Sequence, residues 1–305
     1  FNRYTSEKIN GIKSVNGSSL KAQAIEPLVL NVALADEDIL ISDKEEEVKA
    51  VKKAKPPVAK AYISAESYLV GNLETGEIYD SLNIKKVSPI ASVSKLYTAL
   101  VIHHLYDLEQ PITITQSMLD AYGDAGKLSL RENFLPNDLI YALLLESSND
   151  AAEAFAQSFG YNDFIDQMNA FANEIGMNST SFKDPSGLNP GNMSTVQDLF
   201  TLARYLYGNE KDILEISRQP DMTLASSTEH LAHHFVNINP YAGHDNFIGG
   251  KTGRTDQAKE AMVSLFSQKI GEQSYPIATI VLRSDFGERE KDTDKLLDRF
   301  VKERE

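Results

Sequence analysis

The spacing of apolar residues changes near residue 61. The preceding segment is polar, with one apolar patch at 28–34, an acidic cluster at 36–47 and a lysine-rich run that ends at Pro56-Pro57. Charge runs and a Pro-Pro step are typical of a tether. We therefore predict that residues 1–60 form a partly disordered N-terminal linker and that residues 61–305 form the folded domain.

Strand-like patterns occur at both ends of residues 61–305. Residues 62–73 alternate between apolar and polar types, Glu74-Thr75-Gly76 is typical of a turn, and residues 78–82 alternate again, which predicts a hairpin. Near the other end, three further strand-like runs cover residues 247–252, 261–266 and 277–282.

Helical spacing dominates the region between these strands. Predicted helices run from Ser92 to Leu108, over 137–145, over 164–175 with Gly176 as C-cap, and from a capping box at Ser194 and Gln197, and a last amphipathic helix covers about 292–301. Strands and helices do not alternate along the chain. We therefore predict an α+β fold, with an antiparallel sheet built from both chain ends and a helical block inserted between them.

Composition narrows the classes of function. The chain has 305 residues and a net charge of −14, and residues 61–305 carry 20 Lys and Arg against 35 Asp and Glu. An acidic body argues against a nucleic-acid partner. The absence of cysteine excludes disulfides, thiolate zinc sites and a cysteine nucleophile. No run of 18 apolar residues occurs, so the sequence predicts no membrane span, although the start at Phe1 leads us to expect a processed signal or an anchor upstream.

Three short motifs stand in a fixed order: Ser92-Val-Ser-Lys95, Ser147-Ser-Asn149 and Lys251-Thr252-Gly253. Each is weak alone, since Ser-x-x-Lys also occurs at Ser18 and Lys21. Their context is more specific, because the first opens a predicted helix, the second follows one, and the third lies on a predicted strand. Together they indicate a serine acyl-transfer site that uses lysine as its proton carrier.

The first motif supplies a nucleophile and its base. Ser92 is predicted at a helix start, where free N–H groups favour a developing oxyanion. Lys95 lies one turn further on the same face, so it can take the Ser92 proton and return it to a leaving amine if burial and a second cation lower its pKa.

The other two motifs supply proton transfer and substrate contacts. On the turn after an apolar helix, the Ser147 hydroxyl can relay a proton and the Asn149 amide can orient the substrate or the lysine. On a predicted edge strand, Lys251 and nearby hydroxyls suit a terminal carboxylate, and Gly253 permits close approach of the backbone.

Longer segments around these motifs resemble the D-alanyl-D-alanine carboxypeptidase family of low-molecular-mass penicillin-binding proteins, in the serine β-lactamase-like superfamily. The similarity covers roughly residues 62–303. It includes the residues around Ser92 and Ser147, the segment from Gly176 to Leu188 that contains Asp184-Pro-Ser-Gly187, and the run from Phe247 to Thr255.

The resemblance implies a β-lactamase/transpeptidase-like fold, with about five antiparallel strands flanked by helices and an inserted all-helical lobe. It implies that Ser92 is acylated by peptidoglycan stem peptides ending in D-Ala-D-Ala, and by β-lactams as substrate mimics. The N–H groups of Ser92 and Arg254 would bind the oxyanion. Lys251, Thr252 and Thr255 would hold the substrate carboxylate, with no metal or cofactor. An extracytoplasmic location is expected, in the periplasm or at the cell surface, tethered through the N-terminal segment.

Several alternatives stay open. Arg254 stands where an aromatic residue or histidine is common in the family, and it either adds a carboxylate contact or faces solvent. Shorter family members include endopeptidases that cut D-Ala cross-links, so carboxypeptidase is the first interpretation and endopeptidase the alternative. A β-lactamase would need a loop glutamate, and Glu174 falls inside a predicted helix. A non-catalytic peptidoglycan-binding relative conflicts with the intact Ser92 and Lys95.

The histidines raise the question of a metal site. His230, His233, His234 and His244 lie close together in sequence, but their region resembles the hairpin that precedes the third motif in the family. We therefore predict that they do not bind a metal.

Overall fold

A computed structural model describes residues 61–122 and 127–305. The predicted tether at 1–60 lies outside these residues, and its prediction stays open. Among the described residues, no helix combines the length and the apolar run that crossing a bilayer requires.

Eight helices are described in residues 61–122 and 127–305: α1 Ser94–Leu105, α2 Gln116–Leu119, α3 Pro136–Leu144, α4 Asn149–Phe159, α5 Tyr161–Glu174, α6 Val196–Asn209, α7 Lys211–Ser217 and α8 Arg289–Lys302. The strands described there are β1 Ser67–Asn72, β2 Ile78–Leu82, β3 Ser88–Pro89, β4 Ile112–Thr113, β5 Asn133–Phe134, β6 Met193–Ser194, β7 Asp221–Leu224, β8 His233–Val236, β9 Phe247–Thr255, β10 Lys259–Ile270 and β11 Gln273–Ser284.

The central sheet has five strands in the order β2-β1-β11-β10-β9, and every pairing is antiparallel. Two strands come from the N-terminal hairpin and three from the C-terminal part of the domain. The helices α1 to α7 lie between them in sequence. This arrangement confirms the predicted α+β class and the inserted helical block. It leaves β9, which carries the third motif, at an edge of the sheet.

Side chains that alternate along the strands point to opposite faces of the sheet and pack into two separate apolar cores. On β11, Ala278 and Ile280 pack in a large core with the helical block, whereas Ile277 and Val281 pack with α8. Helices therefore cover both faces, and the central parts of β1, β10 and β11 are buried on both sides, whereas β2 at the far edge is largely exposed. This rigid sheet fixes the position of β9 relative to the helix that follows Ser92.

Local features differ from the sequence prediction in small ways. The first helix ends at Leu105 and not at Leu108, because Tyr106 adopts an extended conformation. The predicted capping box at Ser194 is wrong by one position, since Thr195 is the N-cap of α6 and its side chain accepts from the N–H of Asp198. The prediction that Gly176 closes α5 is confirmed by its positive φ of 89°.

Candidate active site

Ser92 lies in a single 3-10 turn, Ala91–Val93, that leads directly into α1. Its side chain is half-buried, so it stays open to a ligand. The preceding Ala91 has φ 48°, a left-handed conformation that a non-glycine residue adopts only where its surroundings enforce it. The sequence prediction that Ser92 lies at a helix start is therefore correct, with Ser92 in the 3-10 turn before the regular helix.

Lys95 is fully buried beneath Ser92. Its Nζ donates to Ser92 Oγ at 3.1 Å, to Asn149 Oδ1 at 2.7 Å and to the carbonyl oxygen of Ser186 at 2.7 Å. Burial lowers the pKa of Lys95 to about 7, against the opposing attraction of Asp184. A lysine with this pKa has a substantial neutral fraction near neutral pH and can act as a base towards Ser92.

The second motif forms the turn between α3 and α4. Asn149 is the first residue of α4, and its side chain bridges two segments, accepting from Lys95 and donating to the carbonyl oxygen of Tyr122. Ser147 is half-buried, with φ 62°. Such backbone conformations in non-glycine residues are concentrated at functional sites. The structure thus brings Asn149 to Lys95 and puts Ser147 on the same turn.

The third motif runs along β9 next to the nucleophile turn. Lys251 and Thr252 are buried. Gly253 lies so close to the turn that an added Cβ would sit 2.7 Å from the carbonyl oxygen of Ile90 and 3.1 Å from the Ser92 nitrogen. Only glycine fits at this approach, which supports the reason given for this residue from the sequence.

Arg254 and Thr255, at the end of β9, are more exposed. The Arg254 side chain is 65% exposed, with its guanidinium 5.1 Å from the ring centre of Phe286. The Thr255 hydroxyl accepts from the N–H of Ala258 in the hairpin turn. Its own hydrogen stays available to an acceptor, because a hydroxyl donates and accepts at once.

The loop at Asp184-Pro-Ser-Gly187 has a role that reasoning from residue types missed. The Ser186 carbonyl binds Lys95, and Asp184 Oδ1 accepts from the N–H groups of Ser186 and Gly187. Gly187 has φ 86°, and a Cβ there would lie 2.0 Å from the Ala91 carbonyl oxygen. In the sequence this segment is recognisable only as a cluster of turn-forming residues. Such a cluster predicts a loop, but it does not predict that the loop contacts Lys95.

Arg289 is a second residue that the sequence analysis missed. It begins α8, and its Nη1 donates to the Gly253 carbonyl oxygen at 3.1 Å. In a trans peptide the C=O and the following N–H point in opposite directions, so the Arg254 N–H points away from Arg289. This contact therefore fixes the orientation of the peptide whose N–H was assigned to the oxyanion.

Three basic side chains, Lys95, Lys251 and Arg289, lie close enough to influence the charge of Lys251. Burial first, and then repulsion from Lys95 and Arg289, hold the pKa of Lys251 well below its usual range. Its Nζ donates to the Thr252 carbonyl oxygen at 3.1 Å, and no carboxylate among the described residues forms an ion pair with it. A substrate carboxylate would supply the missing negative charge. The arrangement combines a half-buried hydroxyl, an amine within hydrogen-bond distance of it and a buried lysine on an edge strand, which is the geometry that a serine acyl-transfer site requires.

The histidines do not form a metal site in the part of the chain that the structure describes, where no group of three or more potential ligands comes together. His233 Nε2 instead lies 2.9 Å from Glu132 Oε1, and both side chains are buried. His230 stacks on Phe134, with 5.1 Å between ring centres. These residues attach the β7–β8 hairpin to the segment before α3.

Comparisons with known proteins agree with this geometry. A family model described as D-alanyl-D-alanine carboxypeptidase matches residues 50–285. A D-alanyl-D-alanine endopeptidase of Pseudomonas aeruginosa is 31% identical over 227 residues, which are 70% of this chain and 72% of the relative. One of Escherichia coli is 32% identical over 211 residues, 66% of each chain.

A solved structure shows the same fold. The crystal structure of D-alanyl-D-alanine carboxypeptidase from Mycobacterium tuberculosis superposes with a TM-score of 0.71 at 24% identity, over 79% of this chain and 92% of that one. The predicted β-lactamase/transpeptidase-like architecture is thereby confirmed.

Proposed function

This chain belongs to the D-alanyl-D-alanine carboxypeptidase family and is a serine-type hydrolase of peptidoglycan peptides; we propose that it removes the terminal D-alanine from stem peptides through an acyl-Ser92 intermediate. The observation that carries the proposal is the 3.1 Å contact between Lys95 Nζ and Ser92 Oγ in a buried site that lowers the lysine pKa to about 7.

Acylation starts with proton transfer from Ser92 Oγ to neutral Lys95. The oxygen then attacks the carbonyl carbon of the penultimate D-alanine, and the oxyanion accepts from the N–H groups of Ser92 and Arg254. When the intermediate collapses, the C–N bond breaks and the leaving amine takes the proton from Lys95, with the Ser147 hydroxyl as relay. Water then hydrolyses the Ser92 ester and frees the stem peptide.

The terminal carboxylate of the substrate binds along β9. Lys251 is buried without a carboxylate partner among the described residues, and a bound carboxylate would favour its charged form, which burial and repulsion disfavour in the free site. The hydroxyls of Thr252 and Thr255 donate to the carboxylate oxygens. Asn149 holds Lys95 from the other side and orients the substrate amide. β-Lactams, which mimic the peptide, acylate the same hydroxyl.

The first test is the intact mass of the protein after incubation with benzylpenicillin. We expect one adduct on the wild type and none on Ser92→Ala, with both proteins folded by circular dichroism. A folded wild type that forms neither an adduct nor penicilloate would contradict the proposal and favour a non-catalytic relative. An adduct that persists in Ser92→Ala would assign the nucleophile elsewhere.

Endopeptidase activity is a second candidate, because both of the curated relatives described above carry that name. An endopeptidase cuts the D-Ala bond of a cross-link, whereas a carboxypeptidase releases free D-alanine. Incubation with a linear pentapeptide and with a cross-linked dimer, followed by mass spectrometry, separates the two. Release of D-alanine from the pentapeptide supports the first activity, and monomers produced from the dimer support the second.

We also propose an extracytoplasmic location, in the periplasm or at the cell surface, with residues 1–60 as a tether to an anchor upstream of Phe1. The support is the substrate, since peptidoglycan lies outside the cytoplasm, together with the charge runs of that segment. Cell fractionation of the full-length protein tests this: recovery with the cytoplasmic fraction would contradict the location, and recovery free of the envelope would contradict the anchor.

A further inference from the structure

The Arg254 guanidinium is an exposed cation at the open edge of the sheet, one residue beyond the closest approach of β9 to Ser92. We propose that Arg254, supported by the ring of Phe286, forms a subsite for a carboxylate on the acyl-donor arm of the substrate, namely on the side chain of the residue before the acylated D-alanine. This inference rests on the proposed function and adds a substrate preference to it.

The order of contacts along β9 sets the direction of the substrate. Lys251, which would hold the terminal carboxylate, precedes Gly253, whose backbone lies against the Ser92 nitrogen. The carbonyl group that reacts must lie beside Gly253, where its oxygen can reach the N–H groups of Ser92 and Arg254. The leaving D-alanine therefore extends towards Lys251, and the acyl-donor peptide extends past Gly253 towards Arg254 and the β9–β10 turn.

Neighbouring side chains restrict the Arg254 guanidinium but leave its N–H donors free to bind a ligand. Its carbon lies 5.1 Å from the ring centre of Phe286, whose side chain is itself 50% exposed. Glu260 Oε1 lies 3.9 Å from Arg254 Nη1, which is an ion-pair distance but too long for a hydrogen bond. Stacking restricts the side chain while its donors stay available, and this pre-organisation reduces the entropy lost on binding.

Glu260 does not neutralise Arg254 alone. The carboxylate is buried, accepts from the N–H of Gly287 at 3.0 Å and also lies 3.9 Å from Arg289 Nη1. Two guanidinium groups thus share one carboxylate, and positive charge remains at the surface. Because residues 61–305 carry 20 Lys and Arg against 35 Asp and Glu, this local positive site contrasts with an acidic body and favours an anion.

The chemistry selects the ligand class. A guanidinium matches a carboxylate through two parallel hydrogen bonds. Stem peptides differ in whether the residue before the acylated D-alanine carries such a group: a diaminopimelate side chain ends in an amine and a carboxylate, whereas a lysine side chain ends in an amine alone. The subsite predicts a preference for the diaminopimelate peptide.

The test compares kcat/KM for two pentapeptides ending in D-Ala-D-Ala that differ only in diaminopimelate or lysine at the third position. We expect the wild type to prefer the diaminopimelate peptide by roughly three- to fivefold, the size of a partly exposed ion pair. Arg254→Gln should bring the ratio of the two kcat/KM values to about one. Arg254→Lys should give an intermediate ratio, because it keeps the positive charge but cannot make two parallel hydrogen bonds to a carboxylate. The wild-type preference should shrink as salt is raised.

Lys302→Gln is the matched control, since Lys302 is an exposed cation on α8 with 63% of its side chain accessible. It should leave the ratio unchanged. A wild-type ratio of one, or a preference that survives in Arg254→Gln, would overturn the subsite. In either case, cleavage of the lysine peptide and a benzylpenicillin adduct on Ser92 would show that the proposed function stands. If neither peptide is cleaved and no adduct forms, the function and the subsite both fail.

Discussion

The cleft and the base of the β7–β8 hairpin both bury ionisable side chains, and burial has opposite consequences at the two places. At the cleft, Lys95 and Lys251 have exposed fractions of 0% and 1%, and at the base of the β7–β8 hairpin Glu132 and His233 have 5% and 7%. The Glu132 carboxylate accepts from the N–H groups of Ser129 and Leu231 and from His233. Lys95 binds neutral oxygens of Ser92, Asn149 and Ser186.

The difference appears in the pKa values. Burial by itself raises the pKa of Glu132, but the hydrogen bonds from Leu231, His233 and Ser129 outweigh it and hold the pKa below the usual 4.5. At Lys95 burial dominates and lowers the pKa to about 7. Both groups make a full set of hydrogen bonds, but those at Glu132 outweigh the cost of burial and those at Lys95 do not. A buried group that stays charged acts as a structural link, whereas one whose pKa moves towards neutrality is a candidate for proton transfer.

The largest expected effect comes from Lys95→Met, which removes the base from the cleft. We expect acylation by benzylpenicillin to slow by roughly 10³-fold, measured by intact mass over time. The variant should stay folded, because the loss of three hydrogen bonds to Ser92, Asn149 and Ser186 is offset by removal of a buried amine that is costly to charge. Normal acylation in folded Lys95→Met would remove this lysine from the mechanism.

Lys251→Met tests the second cation of the cleft. Loss of a charge-assisted contact to the substrate carboxylate should lower kcat/KM roughly 30-fold or more. Repulsion between Lys95 and Lys251 is mutual, so its removal should raise the pKa of Lys95. The acylation rate of the variant should therefore reach half its maximum at a higher pH than in the wild type. An unchanged pH profile would show that the two ammonium groups do not interact.

Glu132→Gln addresses the base of the β7–β8 hairpin. An amide places a donor opposite one of the backbone N–H groups, so we expect the free energy of unfolding to fall by about 2–3 kcal/mol, measured by urea denaturation. The benzylpenicillin acylation rate per folded molecule should not change. The matched control is Glu229→Gln, an exposed carboxylate in the β7–β8 turn that accepts from the Asn133 side chain. Its effect should stay within about 0.5 kcal/mol. A Glu132→Gln variant that is as stable as the wild type but is acylated more slowly by benzylpenicillin would show that Glu132 serves the cleft and not the stability of the fold.

The smallest effect is the dependence of stability on pH that Lys95 contributes from the cleft above pH 7. Lys95 has a pKa of about 7 in the folded state and 10.5 as an ordinary lysine, so between these values the unfolded chain binds more protons. Stability then rises with pH. Relative to Lys95→Met, the wild type should gain about 2 kcal/mol in unfolding free energy between pH 7 and 9. Parallel curves for the two proteins would mean that the folded lysine keeps its usual pKa.

Much of the fold follows from local pattern. The hairpin of β1 and β2, the three long strands β9 to β11 and the helices α3, α5 and α8 lie where periodicity predicts them, with ends that shift by a few residues. The short helix α7 and the two-stranded pairs β3–β6 and β4–β5 were not predicted, because segments of two to seven residues carry too little periodicity.

The candidate site also contains residues that the sequence predicts and residues that only the structure reveals. Motif order predicts Ser92, Lys95, Asn149 and Lys251, since these side chains carry the chemistry themselves. The Ser186 carbonyl leaves no signature in the sequence, because every residue has one. Arg289 is one of many cations along the chain, and its contact with Gly253 depends on how α8 packs against the sheet.

Local sequence pattern was sufficient to establish the α+β class and the inserted helical block, and it selected the residues of the proposed serine–lysine acyl-transfer site, because periodicity and motif spacing are local properties. Tertiary structure decided the protonation and the neighbours of those residues. Lys95 meets Asn149 across 54 residues and Ser186 across 91. Desolvation at that junction sets its pKa, and desolvation arises only when distant segments pack together.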